Sequence, residues 1–177
     1  MVNNFTKIII ASTLILIPQA SGEYKAINYN KNFQYRMIKA IACVESNSGK
    51  NINHKQLPIK SIHQGTKAYG KYALTPILIK ETAQIDKNID KLYPDLRAMN
   101  IHKINNYMKS NPNLENLIAT SHLRRLIKLF GNNPKAIGHA WLNGSQSTKN
   151  ALKSGKSLKD HWHVRKILSA LKDQQSL

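Results

Sequence analysis

Residues 113–130 read NLENLIATSHLRRLIKLF, and the reading of this stretch decides the fold. Leu114, Leu117, Ile118, Ala119, Leu123, Leu126, Ile127, Leu129 and Phe130 recur at helical spacing and cover most of a helix's circumference. A helix that is apolar on most sides is surrounded by others, so this one is the expected centre of an α-helical domain. Asn111-Pro112 stops whatever precedes it, and Gly131-Asn132-Asn133-Pro134 turns the chain after it.

Working outward, helical spacing continues on both sides. Towards the N-terminus, Ile101, Ile104, Tyr107 and Met108 mark one helix, a short one falls within 88–99, and Thr75-Pro76 caps another that runs to Ile85. The first helix spans 32–46, with Phe33, Met37, Ile38, Ile41, Ala42 and Val44 apolar, and Asn47-Ser48-Gly49 ends it. Between them, residues 50–70 are polar, carry Pro58, Gly65 and Gly70, and read as a long loop. Towards the C-terminus, Ile137, Ala140 and Trp141 lie on a helix that ends at Asn143-Gly144. Ser157 and Asp160 form a capping box for a final helix at about 157–175, whose apolar face holds Val164, Ile167, Leu168 and Leu171. No stretch alternates as a strand would and no segment repeats, so the expectation is a mainly α, single globular domain.

The chain has 177 residues, with 27 Lys and Arg against 9 Asp and Glu, a formal charge of +18. Its single cysteine, Cys43, excludes an internal disulfide and any Cys-rich zinc or iron-sulfur site, and reads as a small buried hydrophobe. Charge of this size points to a polyanion: nucleic acid, an anionic lipid surface or an acidic wall polymer. The start of the chain chooses among them. Lys7, the apolar run 8–17 and Pro18-Gln19-Ala20-Ser21-Gly22 read as a signal peptide at 1–22 that leaves a domain of 23–177. The apolar run is shorter than the roughly 20 residues of a membrane span, and no cysteine follows the cut to carry a lipid. A retained anchor is the alternative. Export, to the periplasm or the extracellular space, directs the charge to envelope polymers rather than nucleic acid.

One acidic residue falls on an apolar face. Phe33, Met37 and Ile41 are spaced four apart, and the next position on that stripe is Glu45. A buried carboxylate either finds a partner or holds its proton to higher pH, and the negative end of the helix dipole acts in the same direction. A protonated carboxyl in an apolar cleft is a general acid suited to glycosidic cleavage. The other reading is a glutamate at a frayed helix end with its carboxylate in water.

The surrounding residues carry a resemblance. Ala40-Ile41-Ala42-Cys43-Val44-Glu45-Ser46-Asn47-Ser48-Gly49 resembles the segment around the acid of lytic transglycosylases (SLT domains) in the lysozyme-like superfamily. Gly70-Lys71-Tyr72-Ala73-Leu74-Thr75-Pro76 is similar to that family's second motif, with glycine, leucine and proline in register. Residues 113–123 look like its central helix, and Gly138-His139-Ala140-Trp141-Leu142-Asn143-Gly144 like its last motif, all within a core of about 33–145. The resemblance implies a lysozyme-like fold and an exported enzyme acting on peptidoglycan glycan strands as a monomer, without metal or cofactor. It implies Glu45 as the catalytic residue and Ser46, Tyr72, Ala73, Trp141 and Asn143 as substrate-binding. Two positions depart from the pattern: Ala73 stands where the family usually has glutamine, and Trp141-Leu142 where it has Tyr-Asn. An indole N–H donates but does not accept, so Trp141 fills only part of a tyrosine's role. Tyr72 and Trp141 read equally as core aromatics.

The implied mechanism needs one carboxylate. Glu45 protonates the bond between N-acetylmuramic acid and N-acetylglucosamine, then removes the proton of the muramoyl C6 hydroxyl, which closes a 1,6-anhydro ring. Glu81, Asp86, Asp90, Asp95 and Glu115 read as structural, with Glu81 or Asp86 able to face a cleft. His161 and His163, two apart, face away from each other on a helix and make a poor metal pair. A lysozyme-type hydrolase and a non-catalytic cationic wall-binding protein are the alternatives.

Overall fold

The computed structural model describes residues 31–155, 158 and 162–174. The leader at 1–22 and the Ser157 and Asp160 capping box lie outside the described residues. The helices are α1 (Lys31–Ser46), α2 (Pro76–Ile85), α3 (Lys87–Leu92), α4 (Asp95–Ala98), α5 (Ile101–Ser110), α6 (Pro112–Phe130), α7 (Pro134–Asn143), α8 (Ser145–Lys153) and α9 (Trp162–Asp173). They make one small, mainly α domain.

The central helix is α6, which packs against α1, α2, α5 and α7. Leu114, Ile118, Ala119, Leu123, Leu126 and Ile127 on it are buried. Its apolar surface is narrower than its composition suggests, because Leu117 and Leu129 are exposed. Behind α6, α9 lies on both α1 and α7 and buries Val164, Ile167 and Leu171. Each fully buried side chain of this size stabilises the fold by about 1.5–3 kcal/mol relative to exposure.

Local chemistry sets the breaks. Thr75 caps α2 by accepting from the Leu78 amide, with Pro76 in the first turn. Asp86 ends α2 and starts α3, its Oδ1 accepting from the amides of Asn88 and Ile89. The single helix expected within 88–99 is two, because Tyr93 precedes Pro94 and leaves the helical region at φ −136°. The helix α8 carries few apolar residues. It is held instead through Thr148, fully buried, whose Oγ1 bonds Gly144 O at 3.1 Å and His139 Nδ1 at 2.8 Å. Cys43 is exposed rather than buried, since it sits on the outer side of α1. Among the described residues no helix is long and apolar enough to cross a membrane.

The loop 50–70 leads into a tight turn that is tied at both ends. Tyr69 and Leu74 exchange backbone bonds, Tyr69 N to Leu74 O at 2.8 Å and Leu74 N to Tyr69 O at 3.0 Å. Within it Gly70 and Ala73 take φ values of +68° and +50°. Glu115, in the first turn of α6, accepts from the Lys71 amide at 2.6 Å and the Tyr72 amide at 3.4 Å. A Cβ on Gly70 would collide with that carboxylate. The turn is therefore hung on the central helix by one carboxylate that only glycine can approach.

Two changes test this tether by chemical denaturation. Glu115→Gln should lower stability by about 1–3 kcal/mol, the cost of weakening a charge-assisted acceptor for buried amides. Gly70→Ala should cost at least about 1 kcal/mol from the left-handed backbone alone, with the collision added. Unchanged unfolding midpoints in both variants would show that the carboxylate does not hold the turn.

Candidate active site

Glu45 stands in the last turn of α1, where the chain reverses through Asn47 and Ser48 at positive φ. Its side chain is only 9% exposed, so it is buried as the apolar stripe requires. The burial brings a partner. His163 of α9, itself 17% exposed, places Nε2 3.1 Å from Glu45 Oε1. The two atoms are within ion-pair distance without the alignment of a good hydrogen bond.

Beside Glu45 a groove of about 590 Å³ opens between the end of α1, the 70–74 turn, α2, α6 and α7. Ala73, Trp141 and Asn143 line it together with Glu45, so four of the expected site residues, from three separate stretches of sequence, share one surface. Leu78, Ala140 and Leu142 supply apolar wall. Asn143 is fixed at the end of α7 by its Nδ2 donating to His139 O at 3.2 Å.

Ser46 and Tyr72 are placed elsewhere. Ser46 is 3% exposed, and its one hydroxyl proton is shared between Lys71 O at 2.8 Å and Ala42 O at 3.1 Å while Oγ accepts from the Gly49 amide at 2.8 Å. It clamps the end of α1 to the 70–74 turn instead of lining the groove. Tyr72 is buried and donates its hydroxyl to Asn116 Oδ1 at 3.0 Å, so it is a core aromatic on α6 and not a cleft wall. Burial raises its pKa, opposed by Lys71.

Four more ionisable groups line the groove: His63, Glu81, His122 and Arg125. Glu81 thus faces the cleft, whereas Asp86 does not line this groove and bonds Ser121 Oγ at 2.6 Å. Burial pushes the Asp86 carboxyl up, but the Ser121 hydroxyl, the Ile89 and Asn88 amides and the Arg124 charge outweigh it and hold the carboxyl below its usual value. His122 is 5% exposed and meets Trp141 edge-on, ring centroids 5.1 Å apart. Burial, reinforced by the Arg125 charge, pushes its pKa down to about 3, so it is neutral near pH 7.

The sequence carried signals for both histidines. His122 continues the stripe Leu114, Ile118, His122, Leu126, and His163 begins the stripe His163, Ile167, Leu171, each spaced four apart as Glu45 is on its own. Among the described residues no three His, Cys, Asp or Glu side chains are grouped to hold a metal ion. The chain matches no protein-family model, no curated protein and no solved structure.

The buried imidazole sets a pH dependence. The folded value near 3 lies below the ordinary 6.5, so as pH falls the unfolded chain takes up the proton first. The contribution of His122 to stability should therefore decline between about pH 6.5 and about pH 3, with a slope of about 1.4 kcal/mol per pH unit. Denaturation curves of wild type and His122→Gln across that range should differ by this slope, and parallel curves would contradict the neutral buried state.

Proposed function

We propose that the chain is an exported peptidoglycan lytic transglycosylase with a lysozyme-like fold. The observation that carries this reading is the convergence of Glu45, Ala73, Trp141 and Asn143, drawn from separate motifs, on one groove. The mainly α fold around a central helix agrees with it. So does a surface charge of +18, which draws the protein to an anionic envelope.

In this mechanism a glycan strand lies along the groove and packs a sugar face on Trp141. Glu45, in its protonated state, gives its proton to the oxygen linking N-acetylmuramic acid to N-acetylglucosamine as the C1–O bond breaks. The cation developing at C1 is stabilised by the substrate's own N-acetyl oxygen. The Glu45 carboxylate then accepts the proton of the muramoyl C6 hydroxyl, whose oxygen bonds to C1 and closes the 1,6-anhydro ring. The carboxyl ends the cycle protonated as it began. His163, 3.1 Å from Glu45 Oε1, holds the carboxyl in place.

A second reading has support from one residue. Glu81 lines the same groove, and a hydrolase needs a second carboxylate to activate water. The products separate the two. Mass spectrometry of muropeptides released from purified peptidoglycan should show anhydromuramoyl ends with wild type, no release with Glu45→Gln, and the same anhydro products with Glu81→Gln. Reducing ends, lost with Glu81→Gln, would identify a hydrolase. No release by wild type from native or N-deacetylated wall would leave a cationic wall-binding protein.

A further inference from the structure

Two neighbouring polar groups on the α6 wall of the groove lack partners. His122 Nδ1 and Arg125 Nη1 are both buried and find no hydrogen-bond partner among the described residues. They stand three apart on α6, hence on one face of it, and both side chains line the groove. Buried polar groups are normally satisfied, and one left open in a cleft needs an explanation. Here two lie side by side with Trp141 against the imidazole.

The chemistry of the pair defines what is missing. A guanidinium has five N–H donors, no acceptor and a permanent positive charge, and its planar fork matches a carboxylate. His122 is neutral and adds a donor or acceptor nitrogen without a second charge. Acceptors are present in the groove, yet neither Glu45 nor Glu81 forms an ion pair with Arg125. Glu45 is directed to His163 instead. Among the described residues the cation is thus kept from the groove's carboxylates, on the wall of the space a ligand would occupy.

We propose that His122 and Arg125 form a carboxylate subsite within the groove, which selects glycans bearing a carboxylate over neutral ones of the same length. The proposal rests on the reading of the groove as a glycan site. Two carboxylates of peptidoglycan have the required chemistry: the lactyl carboxylate of a peptide-free muramoyl residue and a free carboxylate of the stem peptide.

The test is calorimetric binding to the full protein carrying Glu45→Gln, which prevents turnover, with three probes: a chitotetraose, a peptide-free GlcNAc-MurNAc tetrasaccharide and the same tetrasaccharide with stem peptides. At least one carboxylate-bearing probe should bind about tenfold or more tighter than chitotetraose, the worth of one charge-assisted contact. Adding Arg125→Met should remove that preference while leaving chitotetraose binding within about twofold. The tighter of the two carboxylate probes identifies the lactyl or the stem source. Equal binding of all three probes, or a preference that survives Arg125→Met, would overturn the subsite while the glycan reading stands. If no glycan binds, that reading fails, and lactate decides the subsite alone. Saturable shifts of the His122 ring resonances, absent in Arg125→Met, would uphold it, and none in wild type would end it.

Discussion

A carboxylate taken out of water has to be compensated, and at Glu45 the compensation comes from His163. This contact explains why α9 belongs to the site although it lies far along the chain from the motifs around the groove. Val164, Ile167 and Leu171 seat the helix on α1 and α7, and the residue beside that apolar face meets the carboxyl. Without α9 the end of α1 would be open to solvent, and Glu45 would be an ordinary surface acid. Packing thus creates the local environment on which the chemistry depends.

The same residue type does a different job at Glu115. There a carboxylate in the first turn of a helix, favoured by the dipole, gathers backbone amides and fixes the shape of the 70–74 turn. Ser46 ties the same turn to the end of α1 through Lys71 O. Two polar tethers therefore hold the turn that carries Ala73 against the helix that carries Glu45. Asp86 makes a third junction, between α2, α3 and α6. In a chain with 9 acidic residues, Glu115 and Asp86 act at junctions between elements, while the basic side chains supply the net charge.

Much of this was legible in the sequence. The central helix, the Thr75-Pro76 start and the Asn47-Ser48-Gly49 stop follow from spacing and capping, which are local. So did the placement of Glu45, because a polar residue on a stripe spaced four apart has to be buried with the stripe. What escaped was set by tertiary contact. The helix α8 has few apolar residues and is anchored by a threonine hydroxyl on a histidine, a contact that local spacing does not announce. Ser46 and Tyr72 sit beside site residues in the sequence, yet their hydroxyls are taken up by Lys71 O and Asn116. His163 makes a poor metal pair with His161, but its own stripe with Ile167 and Leu171 marks it as facing inward.

The account turns on whether Glu45 and His163 act as a unit. A double-mutant cycle with Glu45→Gln and His163→Gln, read as unfolding free energies at pH 7, measures that directly. The account predicts a coupling energy of about 1–3 kcal/mol, as expected for buried groups in contact. Effects that add to within about 0.3 kcal/mol would contradict it, and would leave the glutamate buried without the partner on which the site is built.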